Sequence, residues 1–227
     1  AFLDEKDFTN TNKNLQTGVH NVITVGKGQL NVQYQFINTK RFYLDDSTKS
    51  RNGYYIYNNQ AYNAHEHFTE VFLVYPINKI KLTAGSDLRS SNTDYQALKV
   101  SPAFPPFVPS PTVTKTAASG DSVKQNQVGV YAALNYSSNN LSVEGGGRWN
   151  HHSEYGSNFA FNINPSYFID KTLKLFANLS SGYKTPSLYQ LFSVYGNKDL
   201  KPETSLSAEA GVQVFTKDEH GSLRVVY

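Results

Sequence analysis

The side chains able to do chemistry are few and lie far apart. His65-Glu66-His67 sets two imidazoles at i and i+2, on one face of an extended strand, a spacing that supports a metal site but supplies only two ligands. A surface loop or strand end is the expected setting for this triplet. His151-His152 points to opposite faces of extended backbone, which argues against joint ligation. Asp45-Asp46 offers hard oxygen ligands of the kind calcium takes, in what reads as a long loop with no third acid nearby. No metal site is expected. With zero Cys there is no thiol nucleophile, and the sequence contains neither Gly-x-Ser-x-Gly nor His-Glu-x-x-His. Glu144 and Glu209 are of the type that does acid–base work, but no cleft or shifted pKa is assigned to them. Gly145-Gly146-Gly147 is not a phosphate loop, because no Lys-Ser/Thr and helix follow; it is expected to let another backbone approach closely. The chain is read as a non-enzyme without a cofactor. What remains are groups that grip: the aromatic and amide side chains of Tyr183, Tyr189, Tyr195 and Asn197.

The elements that must carry these residues show a period of two. Val128, Val130, Ala132, Leu134 and Tyr136 alternate with Gln127, Gly129, Tyr131, Ala133 and Asn135. Leu173, Leu175, Ala177 and Leu179 share one face, as do Leu206, Ala208, Ala210, Val212 and Val214, and as do Leu30, Val32, Tyr34 and Phe36. Such strands are greasy on one side and wet on the other, the pattern of antiparallel sheet. Short turn signals separate them at Gly26-Lys27-Gly28, Pro76-Ile77-Asn78-Lys79, Ser138-Asn139-Asn140, Asp170-Lys171 and Asp218-Glu219-His220-Gly221.

Four hairpins are therefore expected, at 29–75, 80–137, 141–169 and 172–217, each with a long irregular excursion at its far end. Lone strands at 19–25 and 222–227 bring the total to about ten. The excursions are polar or Pro-rich, as at Tyr54 to Asn63 and at Pro102 to Pro111, the latter read as a stiff loop rather than a polyproline ligand. Lys184-Thr185-Pro186 should end a strand, and Ser187 to Phe192 should form a short turn of helix. Pro202 and Glu203 read as punctuation before the next strand.

Composition narrows the class. The 227 residues carry 21 Lys plus Arg against 18 Asp plus Glu, a net +3 that is too mild to indicate nucleic acid. Hydrophobic residues are 39%, yet Tyr and Phe number 16 and 14, so the chain is short of ordinary core and rich in aromatics. No run approaches the roughly 20 apolar residues of a transmembrane helix. With no Met, and with Ala1 to Glu5 lacking a basic and an apolar signal region, the sequence reads as a mature or excised piece. Short turns on one side, long loops on the other and strands of at least the roughly 9–11 residues of a tilted crossing form the pattern of an outer-membrane β-barrel.

Two segments carry a closer resemblance. Gly182-Tyr183-Lys184-Thr185-Pro186, followed by Asn197-Lys198-Asp199-Leu200-Lys201-Pro202-Glu203, resembles a barrel segment of TonB-dependent outer-membrane receptors. The stretch from Gly145 through Arg148-Trp149-Asn150 to Ser157 is similar to the strand and loop before that motif, particularly in the cobalamin-transporter branch. The resemblance covers Leu141 to about Phe215.

It implies an all-β fold, here about ten strands of a barrel of about 22, with short periplasmic turns and long extracellular loops. It also implies a plug domain absent from residues 1–227, outer-membrane lipid around the wall, and energy relayed through the plug from the inner-membrane TonB complex. The cargo would be a corrinoid or a ferric siderophore. On that reading the wall forms a single segment of a barrel domain. Tyr183, Tyr189, Tyr195 and Asn197 stand at the outer mouth, and Glu144, Arg148 and Glu209 face the plug. A passive porin-like or adhesin barrel and a soluble β-rich binding module are the competing readings.

Overall fold

The computed structural model describes residues 8–46, 57–103, 106–107, 110–192, 196–216, 218 and 220–227. The strands are β1 Phe8–Val25, β2 Gly28–Asp46, β3 Tyr57–Ile77, β4 Ile80–Ser101, β5 Thr112–Ala118, β6 Lys124–Ser137, β7 Leu141–His152, β8 Gly156–Phe168, β9 Leu173–Lys184, β10 Glu203–Phe215 and β11 Ser222–Val226; one short helix, α1 Leu188–Phe192, lies between β9 and β10. They form one open antiparallel sheet in the order β1-β2-β3-β4-β6-β7-β8-β9-β10-β11, with β5 paired to β4 alone.

Register decides the two faces. Leu173, Leu175, Ala177 and Leu179 stand opposite Val214, Val212, Ala210 and Ala208, so the apolar alternates of neighbouring strands line up on one side. That side is exposed: Leu175, Val212, Leu134 and Val130 all keep more than a third of their surface. The buried residues are instead mostly polar, including Asn31, Asn58, Gln60, Asp87, Asn150 and His152, against only Tyr95, Ala97, Val123 and Leu191 among hydrophobics. A sheet with grease outside and hydrogen-bonding groups inside suits lipid around it and water within it.

The sheet curls toward its polar side. Glu70 on β3 meets Tyr131 on β6, and Asp87 on β4 meets Arg148 on β7, each contact spanning one intervening strand. We call the polar side the lumen.

The architecture matches the expected alternating barrel section, with four differences. The ten expected wall strands are joined by an eleventh, β5, which folds back on the outer end of β4. The Pro-rich connection to β5 is described only at residues 102–103, 106–107 and 110–111. β1 begins at Phe8 rather than Val19, and residues 57–63 continue β3 instead of forming part of a loop, while 54–56 lie outside the described residues. Asp45-Asp46 and His65-Glu66-His67 correspondingly sit within β2 and β3. The cause is common to all three: once clear of lipid, both faces of a strand are wet, and the paired backbone holds without an apolar alternate. Finally, β7 and β8 are joined by a tight turn at residues 153–155, closed by Gly156 at φ 70°, where a long excursion was expected.

Candidate functional site

At the end of the wall opposite the short turns, the chain leaves β9 at Lys184 and forms α1, the one-turn helix expected over Ser187 to Phe192. Its start is a reciprocal cap. The Ser187 N–H donates to Gln190 Oε1 at 2.9 Å, and the Gln190 N–H donates to Ser187 Oγ at 3.3 Å. Leu191 is buried. This places Tyr189 over the lumenal face of strands far away in the sheet. Its ring centre lies 5.5 Å from that of Tyr62 on β3, and the guanidinium of Arg41 on β2 sits 5.9 Å from its centroid. Tyr62 in turn stacks on the buried Tyr95 of β4, with centroids 4.5 Å apart and planes at 27°. A cleft of about 220 Å³ opens among Arg41, Tyr62, Tyr95, Val123, Tyr189 and Phe192.

Tyr62 stands above the part of β3 whose outer face is apolar, Val71 to Tyr75. Its phenol is held above the usual tyrosine range, first by burial, then by the neighbouring phenols of Tyr95 and Tyr189, with Arg41 opposing. The cluster therefore offers flat, protonated phenol rings beside one fixed positive charge. Such a slot grips a planar, electron-rich group bearing negative charge.

The four expected gripping residues separate. Tyr189 is at the centre of the cluster. Asn197 shapes the loop behind it: its N–H donates to the Gln190 carbonyl at 2.8 Å and its Oδ1 accepts the Asp199 N–H at 2.9 Å. Tyr183 pairs with Thr204 in the register that puts Leu179 and Leu206 on the outer face, away from Tyr189. It stands close enough to Tyr155 in the β7–β8 turn to help raise that phenol's pKa, behind burial and Glu154. Tyr195 lies outside the described residues. Arg41, Tyr62 and Tyr95 are the partners that sequence reading missed; they lie on strands roughly 90 to 150 positions before Tyr189, and only the curl of the sheet brings them together.

Glu144, Arg148 and Glu209 all fall on the lumenal face. Glu144 stands opposite Asn164, Asn164 is hydrogen-bonded to Asn178, and Asn178 stands opposite Glu209, so the two acids end one polar rung across four strands. Arg148 is turned into the wall. Its Nη1 and Nη2 reach Asp87 at 2.7 and 2.9 Å, its Nε donates to Asn150 Oδ1 at 2.6 Å, and its guanidinium covers the Tyr131 ring at 5.5 Å. Beside it, Glu70 accepts from the Tyr131 hydroxyl at 2.6 Å and from Gln33.

Glycines make both crossings possible: a Cβ on Gly129 would lie 2.0 Å from Arg148 Nη2, and one on Gly85 would lie 2.8 Å from the Tyr131 hydroxyl. The triplet Gly145-Gly146-Gly147, expected to admit a backbone, mainly admits side chains instead, with the Phe159 ring 2.7 Å from a Cβ at Gly147. Among the described residues, no group of three or more His, Cys, Asp or Glu is placed to hold a metal ion.

An up-and-down antiparallel sheet, apolar outside, polar within and joined by short turns at one end, defines a section of an outer-membrane β-barrel. The family follows from comparison. The family model described as TonB dependent receptor-like, beta-barrel matches residues 2–227, and the chain belongs to that family. A segment is 32% identical over 85 residues to the ferric enterobactin receptor of Pseudomonas aeruginosa, covering 29% of this chain and 11% of that protein. Another is 31% identical over 81 residues to the iron-regulated outer membrane virulence protein of Vibrio cholerae, covering 31% of this chain and 12% of that protein.

Among solved structures, the siderophore receptor PiuA from Acinetobacter baumannii superposes with a TM-score of 0.67 at 10% identity, over 96% of this chain and 40% of its own. The copper transporter OprC gives 0.67 at 11% identity, over 93% and 38%. These likenesses show the fold. The matched segments span only about a tenth of the length of these curated relatives.

Proposed function

We propose that this chain is part of the barrel wall of an energised importer in the bacterial outer membrane, and that its cargo is a ferric siderophore. The observation that carries the reading is the family match over residues 2–227. Two relatives with iron or siderophore in their names support the cargo class, as does the cluster of Arg41, Tyr62, Tyr95 and Tyr189, whose chemistry suits the planar anionic groups that chelate iron. In this reading the cluster holds the cargo at the outer mouth. Glu144 and Glu209 meet the plug that fills the lumen, and Arg148, anchored to Asp87, stiffens the wall beside it. The plug relays energy from the inner-membrane TonB complex.

The test is uptake of radiolabelled ferric siderophores by cells making the full-length protein as their sole siderophore receptor, with TonB present or deleted. Uptake that disappears with TonB is expected. Uptake that survives the deletion overturns the energised mechanism, and import of a corrinoid with no siderophore overturns the cargo.

A further inference from the structure

Between Val143 and Trp149 the outward positions of β7 are both glycine, Gly145 and Gly147. The register sets Gly147 between Ala132 of β6 and Phe161 of β8, and Gly145 between Leu134 and Ile163. The Phe159 ring lies over Gly147, but a Cβ at Gly145 would meet only the Asn162 carbonyl oxygen, at 3.8 Å. Gly145 is therefore the floor of a groove of about 570 Å³ on the apolar side of the sheet, walled by Leu134, Tyr136, Val143, Phe161 and Ile163 and, from β4, by Ile80. No acidic or basic side chain lines it.

Width decides what fits. β6 and β8 are two strand spacings apart, roughly 10 Å between backbones, with Leu134 and Ile163 flanking the floor. An α-helix is roughly 10–12 Å across with its side chains, so a helix of another protein does not reach the floor, whereas a single hydrocarbon chain does. Within lipid, apolar surfaces are held together by packing and not by exclusion of water. An unfilled groove leaves its lining atoms without partners, and a flexible chain can follow its outline.

The foot of the groove is at the short-turn end. Ile80 and Tyr136 stand opposite each other there, and the Ser137 N–H donates to the Lys79 carbonyl at 3.0 Å. Lys79 directly precedes Ile80 and is exposed, in the turn where the apolar outward face of its own hairpin ends at Ile77 and Ile80. Apolar groove, phenol and ammonium group thus follow one another in the order in which a phospholipid presents its chain, its interface and its phosphate.

We propose that the Gly145 groove holds one acyl chain of a phospholipid from the leaflet on the short-turn side, with the phosphate of that lipid paired to Lys79. The site stands whatever cargo the receptor carries.

The experiment is native mass spectrometry of the full-length receptor in neutral detergent, titrated with dipalmitoyl phosphatidylglycerol or with its dihexanoyl counterpart. Retention of one long-chain lipid is expected, with much weaker retention of the short-chain one. G145L fills the groove with the protein's own side chain and should lose about tenfold in apparent affinity. K79Q should lose severalfold. Two controls should lose none: A177L, which adds the same bulk to the outward face of β9, and K171Q, altered in another short turn. Wild-type affinity in G145L, or equal loss in A177L, overturns the groove. Equal retention of the dihexanoyl lipid overturns the acyl-chain assignment, and wild-type affinity in K79Q, or equal loss in K171Q, overturns the placement of the phosphate. G145L should also melt at or above the wild-type temperature, because a side chain at Gly145 enters open space; earlier melting would overturn the claim that the groove is open.

Discussion

Arg148 on β7 holds Asp87 on β4 by passing directly over Gly129 of the strand between them, at 2.7 Å from Nη1 to Oδ2. The Asp87 side chain is only 6% exposed, and this ion pair is what compensates its burial. Gly129→Ala places a methyl group in the path of the guanidinium. We expect it to destabilise the barrel by about 1–3 kcal/mol, the usual scale of overpacking. Thermal unfolding of the full-length protein in detergent measures this; an unchanged midpoint would show that the wall flexes to make room.

Asp170 in the β8–β9 turn accepts the Thr172 hydroxyl at 2.7 Å and the N–H groups of Thr172 and Leu173 at 2.7 and 2.9 Å. The hydroxyl first and then the two backbone donors hold its carboxyl below the ordinary value of 3.8. A depressed folded pKa gives stability that is present above the unfolded value and lost as pH falls through the folded one. Wild type should therefore lose its advantage over Asp170→Asn below about pH 4. Paired melts of the two proteins at pH values on either side check this, and parallel curves would refute it.

The Ser187–Gln190 cap should hold α1 in place. Replacing both by Ala removes two reciprocal bonds and is expected to cost about 1 kcal/mol of local stability, as cap deletions do. Hydrogen exchange at the Leu191 amide, which bonds to the Ser187 carbonyl at 3.1 Å, should accelerate while β3 and β4 amides stay protected. Equal acceleration everywhere would mean that the helix and wall open together.

Tyr189→Ala should weaken binding of a ferric siderophore at least tenfold, roughly the 1.4 kcal/mol that one lost ring contact supplies. Tyr183→Ala should change it little, because Tyr183 faces outward. Equal losses in the two variants, measured by fluorescence quenching on the purified receptor, would place the ligand away from the cleft.

The lipid-facing half of this fold is legible in the sequence because lipid enforces strict alternation. Val128 to Tyr136 on β6 and Leu206 to Val214 on β10 announce both their strand character and their outward faces. Above the membrane that pressure ends. Asn58, Gln60 and Tyr62 share the lumenal face of β3, bonded Gln60 Nε2 to Asn58 Oδ1 at 3.0 Å and Tyr62 Oη to Gln60 Oε1 at 2.8 Å, and so read as loop while belonging to a continuous strand. Tyr189 was identifiable as an aromatic near a strand end. Its neighbours Arg41, Tyr62 and Tyr95 were not, because closeness across a curled sheet leaves no mark in local spacing.

Strands β2, β3 and β4 run 19, 21 and 22 residues, about twice what a tilted crossing needs. Arg41, Tyr62 and Tyr95 are consequently mounted on laddered backbone and are already in position before any ligand arrives. On the proposed function, the entropy of assembling that part of the cleft is spent during folding and not at capture. On that same reading, tolerance for new cargo should reside in the one helix that closes the cleft.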